Sequence, residues 1–347
     1  PDATSTLAVS SSQSDENKSP DDQLEILLMT GQGEPIRRRQ WGVTRAQVEE
    51  ANQELRHQAT SQFSTTQQYL SPAQQLHDWI IRPVTEILKQ QNITSLGFVM
   101  DSSLRTMPIA ALHDGESFLL EQYSLGVLPS FSLANIHNSA SANRVDYSQE
   151  RVLAMGASEF DNQPNLPAVS AEIELISQGL GAGDAFLNEE FVLETLQTQL
   201  SQEDYGIVHL ATHAVFEPGD LERSYIQLWN EQLSLSQLGD LQLSEEDIRL
   251  MILSACSTAL GDRASEYGFA GLAVSAGSQA ALASIWPVSD EGTLGFMAQF
   301  YHKTVFAGTS GNRHRIDPAY GLKKASYHTP YKHSNQDTAQ TAHKNGT

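Results

Sequence analysis

An α/β fold, built on a mostly parallel sheet with helices on both faces, is the class that the sequence predicts. Three observations carry that expectation. From Leu96 to His302, short apolar runs of strand character alternate with segments of helical periodicity. Several runs, such as Arg249–Leu253 (RLMIL), are apolar on both faces, which suits strands buried between two helical layers. With 347 residues, the chain has room for one large α/β domain or two modest ones.

The elements follow in order. Residues 1–23 are rich in Ser, Asp and Pro and read as a disordered linker. Residues 24–92 read as an N-terminal hairpin followed by helices. Leu24–Met29 and Ile36–Trp41 flank the turn Thr30-Gly31-Gln32-Gly33. Thr44 is placed to cap a helix over Arg45–Gln58. A second helix is expected over Ser71–Gln91, because Leu76, Ile80, Val84, Ile87 and Leu88 recur at three- and four-residue spacing. Ser71-Pro72 supplies its N-cap and first position, and Pro83 should kink it.

Residues 93–308 read as the α/β core. Strands are expected at Leu96–Met100, within Leu119–Pro129, and at Arg151–Met155, Gly206–Ala211, Tyr225–Trp229, Arg249–Leu253 and Ala280–Trp286. Helices are expected at Val169–Leu180, Glu190–Leu200, Phe269–Ala276 and Gly292–His302. Past Gly308 the periodicity stops and the charge changes sign. Residues 309–347 therefore read as a disordered or aberrant tail.

Composition narrows the function. The formal net charge of −21 argues against nucleic acid as a direct partner, which needs clustered Lys and Arg. The run Arg37-Arg38-Arg39 is too short to change that, and an acidic surface favours basic peptides. The single cysteine, Cys256, excludes a disulfide framework and an all-thiolate metal site. One thiol fits a reducing compartment, so a cytoplasmic location is expected. No apolar run has the length of a membrane span, and no membrane partner is expected. No metal site is expected either, since His314, His328, His333 and His343 are irregularly spaced. Without a GxGxxG after a strand, or a GKS or GKT loop, no nucleotide cofactor is expected and a small-molecule α/β domain ranks low.

Two strand ends carry reactive groups. Gly206–Ala211 runs into Thr212-His213, and Arg249–Leu253 runs into Ser254-Ala255-Cys256. Catalytic groups gather at the carboxyl ends of strands in open parallel sheets. A thiol attacks as thiolate, and a nearby histidine both takes its proton and stabilises its charge. His209, four residues before His213, lacks a neighbouring carboxylate or thiol in sequence and reads as a core histidine with a hydrogen-bond partner.

The segments Val208–Ala214 (VHLATHA) and Ile252–Gly261 (ILSACSTALG) resemble the paired HLATHG and LSACxTALG motifs of the CHAT family. Gly268–Ala273 (GFAGLA), Ala276-Gly277 and Ala283–Thr293 (ASIWPVSDEGT) are similar to its glycine-containing helix and its LWxVxDxxT motif. Asp101–Leu112 (DSSLRTMPIAAL) resembles its DxxLRxxPxAAL motif, and the likeness spans roughly residues 24–306. Asp101 and Arg105 themselves read as a structural ion pair or turn cap.

The resemblance implies a caspase-like, separase-like cysteine peptidase that needs no cofactor. In that reading Cys256 is the nucleophile and His213 its base. The backbone N–H groups of Ala214 and Cys256 form the oxyanion hole, worth roughly 3 kcal/mol per donor. Asp290 lines a pocket for a basic residue before the cleaved bond. The other reading of Asp290 is a cap for the helix near Gly292. The implied partners are a protein or peptide substrate and a regulatory module, either upstream or on another chain. Two departures from the family pattern favour the alternative, a weak or inactive pseudo-peptidase acting as an interaction module. Ala214 stands where the family has Gly, and the tail replaces a further helix. If that position needs positive φ, Ala costs of order 1 kcal/mol there.

Overall fold

The computed structural model describes residues 3–9, 19–30, 34–61, 63–128, 147–179, 183–217, 220–238, 241, 248–255, 269–284 and 288–304. The described chain is mixed α/β, with two five-stranded sheets and one small sheet.

The first sheet begins with β1 (Ala3–Val9), β2 (Gln23–Met29) and β3 (Ile36–Thr44). Helix α1 (Arg45–Thr60) follows at once, capped by Thr44 as the sequence suggested, and Gln47 completes a reciprocal capping box. Helix α2 (Thr66–Ile80) starts five residues before the expected Ser71. Its N-cap is Thr65, again boxed with Gln68, which leaves Pro72 inside the helix. The expected break at Pro83 is a short 3-10 turn over Arg82–Val84, followed by α3 (Thr85–Gln90). Strand β4 (Ile93–Met100), the short α4 (Leu119–Gln122) and β5 (Ser124–Val127) complete this part. The strand order is β3-β2-β1-β4-β5.

Two expectations change here. Residues 3–9 form a strand rather than part of a linker. β1 pairs antiparallel with β2 and parallel with β4, so it lies mid-sheet, and its weakly apolar sequence gave little sign of that. The expected boundary at residue 93 also falls inside a unit. β4 shares the sheet with β1–β3, and its Leu96, Phe98 and Met100 join Ile26, Leu28, Leu55, Leu76 and Ile80 in one core. Asp101, at the end of β4, pairs with Arg45 at 2.6 Å. On the opposite face of β2 and β3, Glu25 binds both Arg37 and Arg39, and Arg39 lies over the exposed Trp41.

The second sheet is all parallel, in the order β13-β12-β8-β6-β7. It starts with β6 (Val152–Gly156), then α5 (Pro167–Gly179), β7 (Gly183–Leu187), α6 (Leu193–Gln202) and β8 (Ile207–Ala211). The strands β9 (Ala214–Glu217), β10 (Asp220–Gln227) and β11 (Gln232–Ser234) then make the small antiparallel sheet, and α7 (Leu235–Leu238) follows. Last come β12 (Leu250–Ser254), α8 (Phe269–Ser275), β13 (Ala281–Ala283) and α9 (Asp290–Thr304).

Strands β6, β8 and β12 are buried throughout, as their unbroken apolar sequences require. One sheet face packs Val152, Ala154, Ile207 and Ile252 against Val169, Ile173 and Ile176 of α5 and Met297, Phe300 and Tyr301 of α9. The other packs Leu153, Val208, Leu210 and Leu253 against Leu196 and Leu200 of α6, Phe269 and Ala273 of α8, and Ile226 of β10. Gly156 ends β6 where a Cβ would meet Val169 Cγ1 at 2.8 Å and the Ala211 carbonyl at 2.9 Å. Only glycine lets α5 approach this closely. The expected tail, 309–347, lies outside the described residues. Among the described residues, no helix is long and apolar enough to cross a membrane.

Candidate active site

β8 and β12 are neighbours, and their parallel register sets Ala211 opposite Ser254. Thr212 extends this contact, donating its N–H to the Ser254 carbonyl at 3.2 Å. His213 follows Ala211 by two residues, as Cys256 follows Ser254 in the sequence. Cys256 itself lies outside the described residues.

His213 is held on several sides. Thr212 is fully buried, and its hydroxyl donates to the Gln227 carbonyl at 2.6 Å. The His213 carbonyl accepts from Gln227 N–H at 2.9 Å, so β10 fixes the backbone at this point. The loop between β6 and α5 covers the half-buried ring. Phe160 packs against it with centroids 4.7 Å apart, and Nε2 lies 2.7 Å from the Pro164 carbonyl. A carbonyl oxygen can only accept, so Nε2 carries the proton. In neutral imidazole, Nδ1 is then the basic nitrogen.

Ala214 begins β9 and stands opposite Ile226 of β10. In an antiparallel ladder, hydrogen-bonded and non-hydrogen-bonded pairs alternate. Because Gln227 N–H reaches the His213 carbonyl, the Ala214/Ile226 pair is the non-bonded kind, and Ala214 N–H is directed away from β10. Among the described residues, Asn92 and Asn188 alone among non-glycines have positive φ. Ala214 therefore sits in ordinary extended backbone, and the steric cost expected for replacing Gly does not arise.

Asp290 is the first residue of α9. It does not cap that helix: Ser289 does, its Oγ accepting from Gly292 N–H at 3.0 Å. Asp290 Oδ2 instead accepts from Ala168 N–H, at the start of α5, at 2.8 Å. Burial raises the Asp290 carboxyl above the usual range, opposed by the Ala168 N–H. Glu172 and Glu291 push it further up, while His213, when protonated, pulls it down. His213 and Asp290 thus share one electrostatic neighbourhood.

Beneath the site lies a buried polar cluster. His209 Nε2 is 2.9 Å from Glu172 Oε1 of α5, and Nδ1 is 3.0 Å from the Tyr301 hydroxyl of α9. His209 has the hydrogen-bond partners expected of a core histidine. Burial and the neighbouring Glu172 hold the Tyr301 hydroxyl well above its ordinary range, so it keeps its proton. Glu172 was legible as an oddity, an acid within the apolar stripe Val169, Ile173 and Ile176. Phe160 and Pro164 left no signal, because their segment reads as a plain loop. Among the described residues, no cluster of His, Cys, Asp and Glu could hold a metal ion.

A model of the CHAT domain matches residues 70–310. The chain belongs to the CHAT domain family. The match begins within α2 and runs past α9, so β1–β3 and α1 precede it. CHAT domains are associated with caspase-like cysteine peptidases, and the all-parallel second sheet with helices on both faces agrees with a caspase-like fold. No curated protein matches this CHAT chain.

Proposed function

We propose that this CHAT domain is a cysteine endopeptidase that cuts after a basic residue. The observation that carries the reading is the level register of β8 and β12, each followed by the family's reactive residue at the same offset. In this mechanism His213 Nδ1 removes the thiol proton of Cys256. The thiolate adds to the scissile carbonyl, whose oxygen gains charge and takes hydrogen bonds from Ala214 and Cys256 N–H. The protonated His213 then gives its proton to the leaving amine, and a thioester remains. Water, deprotonated by His213, hydrolyses that thioester and restores the thiol. The Pro164 carbonyl supports this cycle by fixing which ring nitrogen is basic. The direction of Ala214 N–H supports the oxyanion role.

A preference for Arg or Lys before the cut draws support from the half-buried Asp290 carboxylate near His213 and from the net charge of −21. Peptidyl acyloxymethyl ketones ending in Arg or in Leu test the proposal, with labelling read by intact mass. The Arg probe should label the wild type once, and should not label Cys256→Ala or His213→Ala. No labelling of a cooperatively folded wild type would count against peptidase activity. Equal labelling by the Leu probe would count against the basic pocket.

A further inference from the structure

We propose that Asp290 is a positioning residue for His213: its carboxylate anchors the start of α5 and so holds the Pro164 carbonyl against Nε2. The inference rests on His213 acting as the base, and it is separate from any contact between Asp290 and substrate. Helix α5 opens with Pro167, which has no N–H, and the preceding Leu166 has no side-chain acceptor. Ala168 N–H is therefore the first donor of the helix, without a local cap. Asp290 fills that place from another helix, at 2.8 Å.

The path from Ala168 back to His213 is short and tied down. Leu166 N–H donates to the Ser158 carbonyl at 2.8 Å, and its own carbonyl accepts from Val169 at 3.0 Å. Asn165 Oδ1 accepts from Phe160 N–H at 3.1 Å. Ser158 N–H in turn donates to Asn188 Oδ1 at 2.8 Å. Pro164 lies within this braced segment, and its carbonyl is the group that orients the imidazole. Removing the Asp290 anchor frees the end of the segment nearest α5. The titratable groups that bear on Asp290 are Glu172 of α5, Glu291 of α9 and His213 after β8.

The substitutions Asp290→Asn and Asp290→Ala separate the roles. Asn keeps an acceptor oxygen for Ala168 but removes the charge, whereas Ala removes both. The direct readout is the nitrogen spectrum of the His213 imidazole in the resting protein, assigned with His213→Gln. The proposal expects the Nε2–H tautomer in wild type and Asp290→Asn, and mixed tautomers with faster proton exchange in Asp290→Ala. Alkylation of the lone thiol by iodoacetamide should slow by about a hundredfold near pH 6 in Asp290→Ala, as a displaced base would cause. A cap that only stabilised α5 would lower the melting temperature and leave the tautomer unchanged. A folded Asp290→Ala with the wild-type imidazole spectrum would overturn the proposal, as would loss of the tautomer in Asp290→Asn. If Asp290→Ala does not fold, Ala168→Pro deletes the donated N–H in the first turn, where Pro is tolerated, and the same spectra decide. An ordinary thiol in wild type would sink the peptidase reading alone, since the spectrum needs no turnover.

Discussion

At Ala214, a return to the family's glycine gains nothing that the backbone needs. The residue lies in extended β9 and is absent from the positive-φ positions. Ala214→Gly should therefore leave probe labelling no faster, and should cost about 0.5–1 kcal/mol in a denaturant melt through added chain entropy. Asp290 gives a pH dependence of definite sign. Its folded pKa is raised above the unfolded value, so its ionised form costs stability. That cost is absent below the unfolded carboxylate pKa of about 3.9 and complete above the raised folded value. The stability of Asp290→Asn relative to wild type should thus improve as pH rises through that window, and level off beyond it. The residues of the site were unequally legible. His213 stood out because a reactive side chain ended an apolar strand. Pro164 could not, since a backbone carbonyl is common to every residue and only folding chooses which one faces the ring.

Among the elements, α5, β8 and α9 are joined through the interior by Glu172, His209 and Tyr301, all at most 1% exposed. The Tyr301 hydroxyl keeps its proton and can donate it to His209 Nδ1, which leaves Nε2–H to donate to Glu172 Oε1. Glu172→Ala should cost about 3 kcal/mol, because it leaves a buried imidazole N–H unpaired. Tyr301→Phe should cost about 1–2 kcal/mol. Chemical denaturation measures both. In the hairpin, burial pushes the Glu25 carboxyl up, but Arg37 and Arg39 outweigh it and hold it below its usual range. Its contribution is present above the unfolded carboxylate pKa and fades as pH falls through the lowered folded value. Glu25→Gln should therefore destabilise at neutral pH, by about 1 kcal/mol since both arginines are half-exposed, and should match wild type in acid. A Thr-x-x-Gln start opens both α1 and α2, and of the two Thr44 alone stood out in the sequence as a cap. Thr65 was passed over because Ser71-Pro72 offered a competing start nearer the apolar stripe. β1 was hidden for a different reason. It is held by backbone pairing on both edges, which its own composition does not reveal.

For the whole molecule, the described hydrophobic clusters divide by sequence. One runs from Leu24 to Tyr123, and the two beside the second sheet run from Tyr147 to Tyr301. Separate cores need not melt together. Leu55 is fully buried in the first, so Leu55→Ala should lower one unfolding transition by about 2–5 kcal/mol and leave the other in place. Calorimetry with Leu55→Ala checks this, and a single shifted transition would mean that the two parts unfold as one. The sequence conveyed β6, β8, β12 and β13 of the parallel sheet, because they lie in apolar runs, but not the edge strand β7, whose GDAFL carries Asp184 and no fully buried residue. It conveyed the first sheet poorly, because β1 and β4 are far apart in the chain and pair only in three dimensions.

The place of β1 also has a mechanical meaning. A polypeptide joined ahead of residue 3 would be attached to the middle of a sheet, not to a fringe. Tension arriving there along the strand would load two hydrogen-bonded ladders in shear, one with β2 and one with β4. Peeling a single edge strand breaks its bonds one after another, but here many must yield together. Loaded along its length, β1 would therefore resist through both ladders at once.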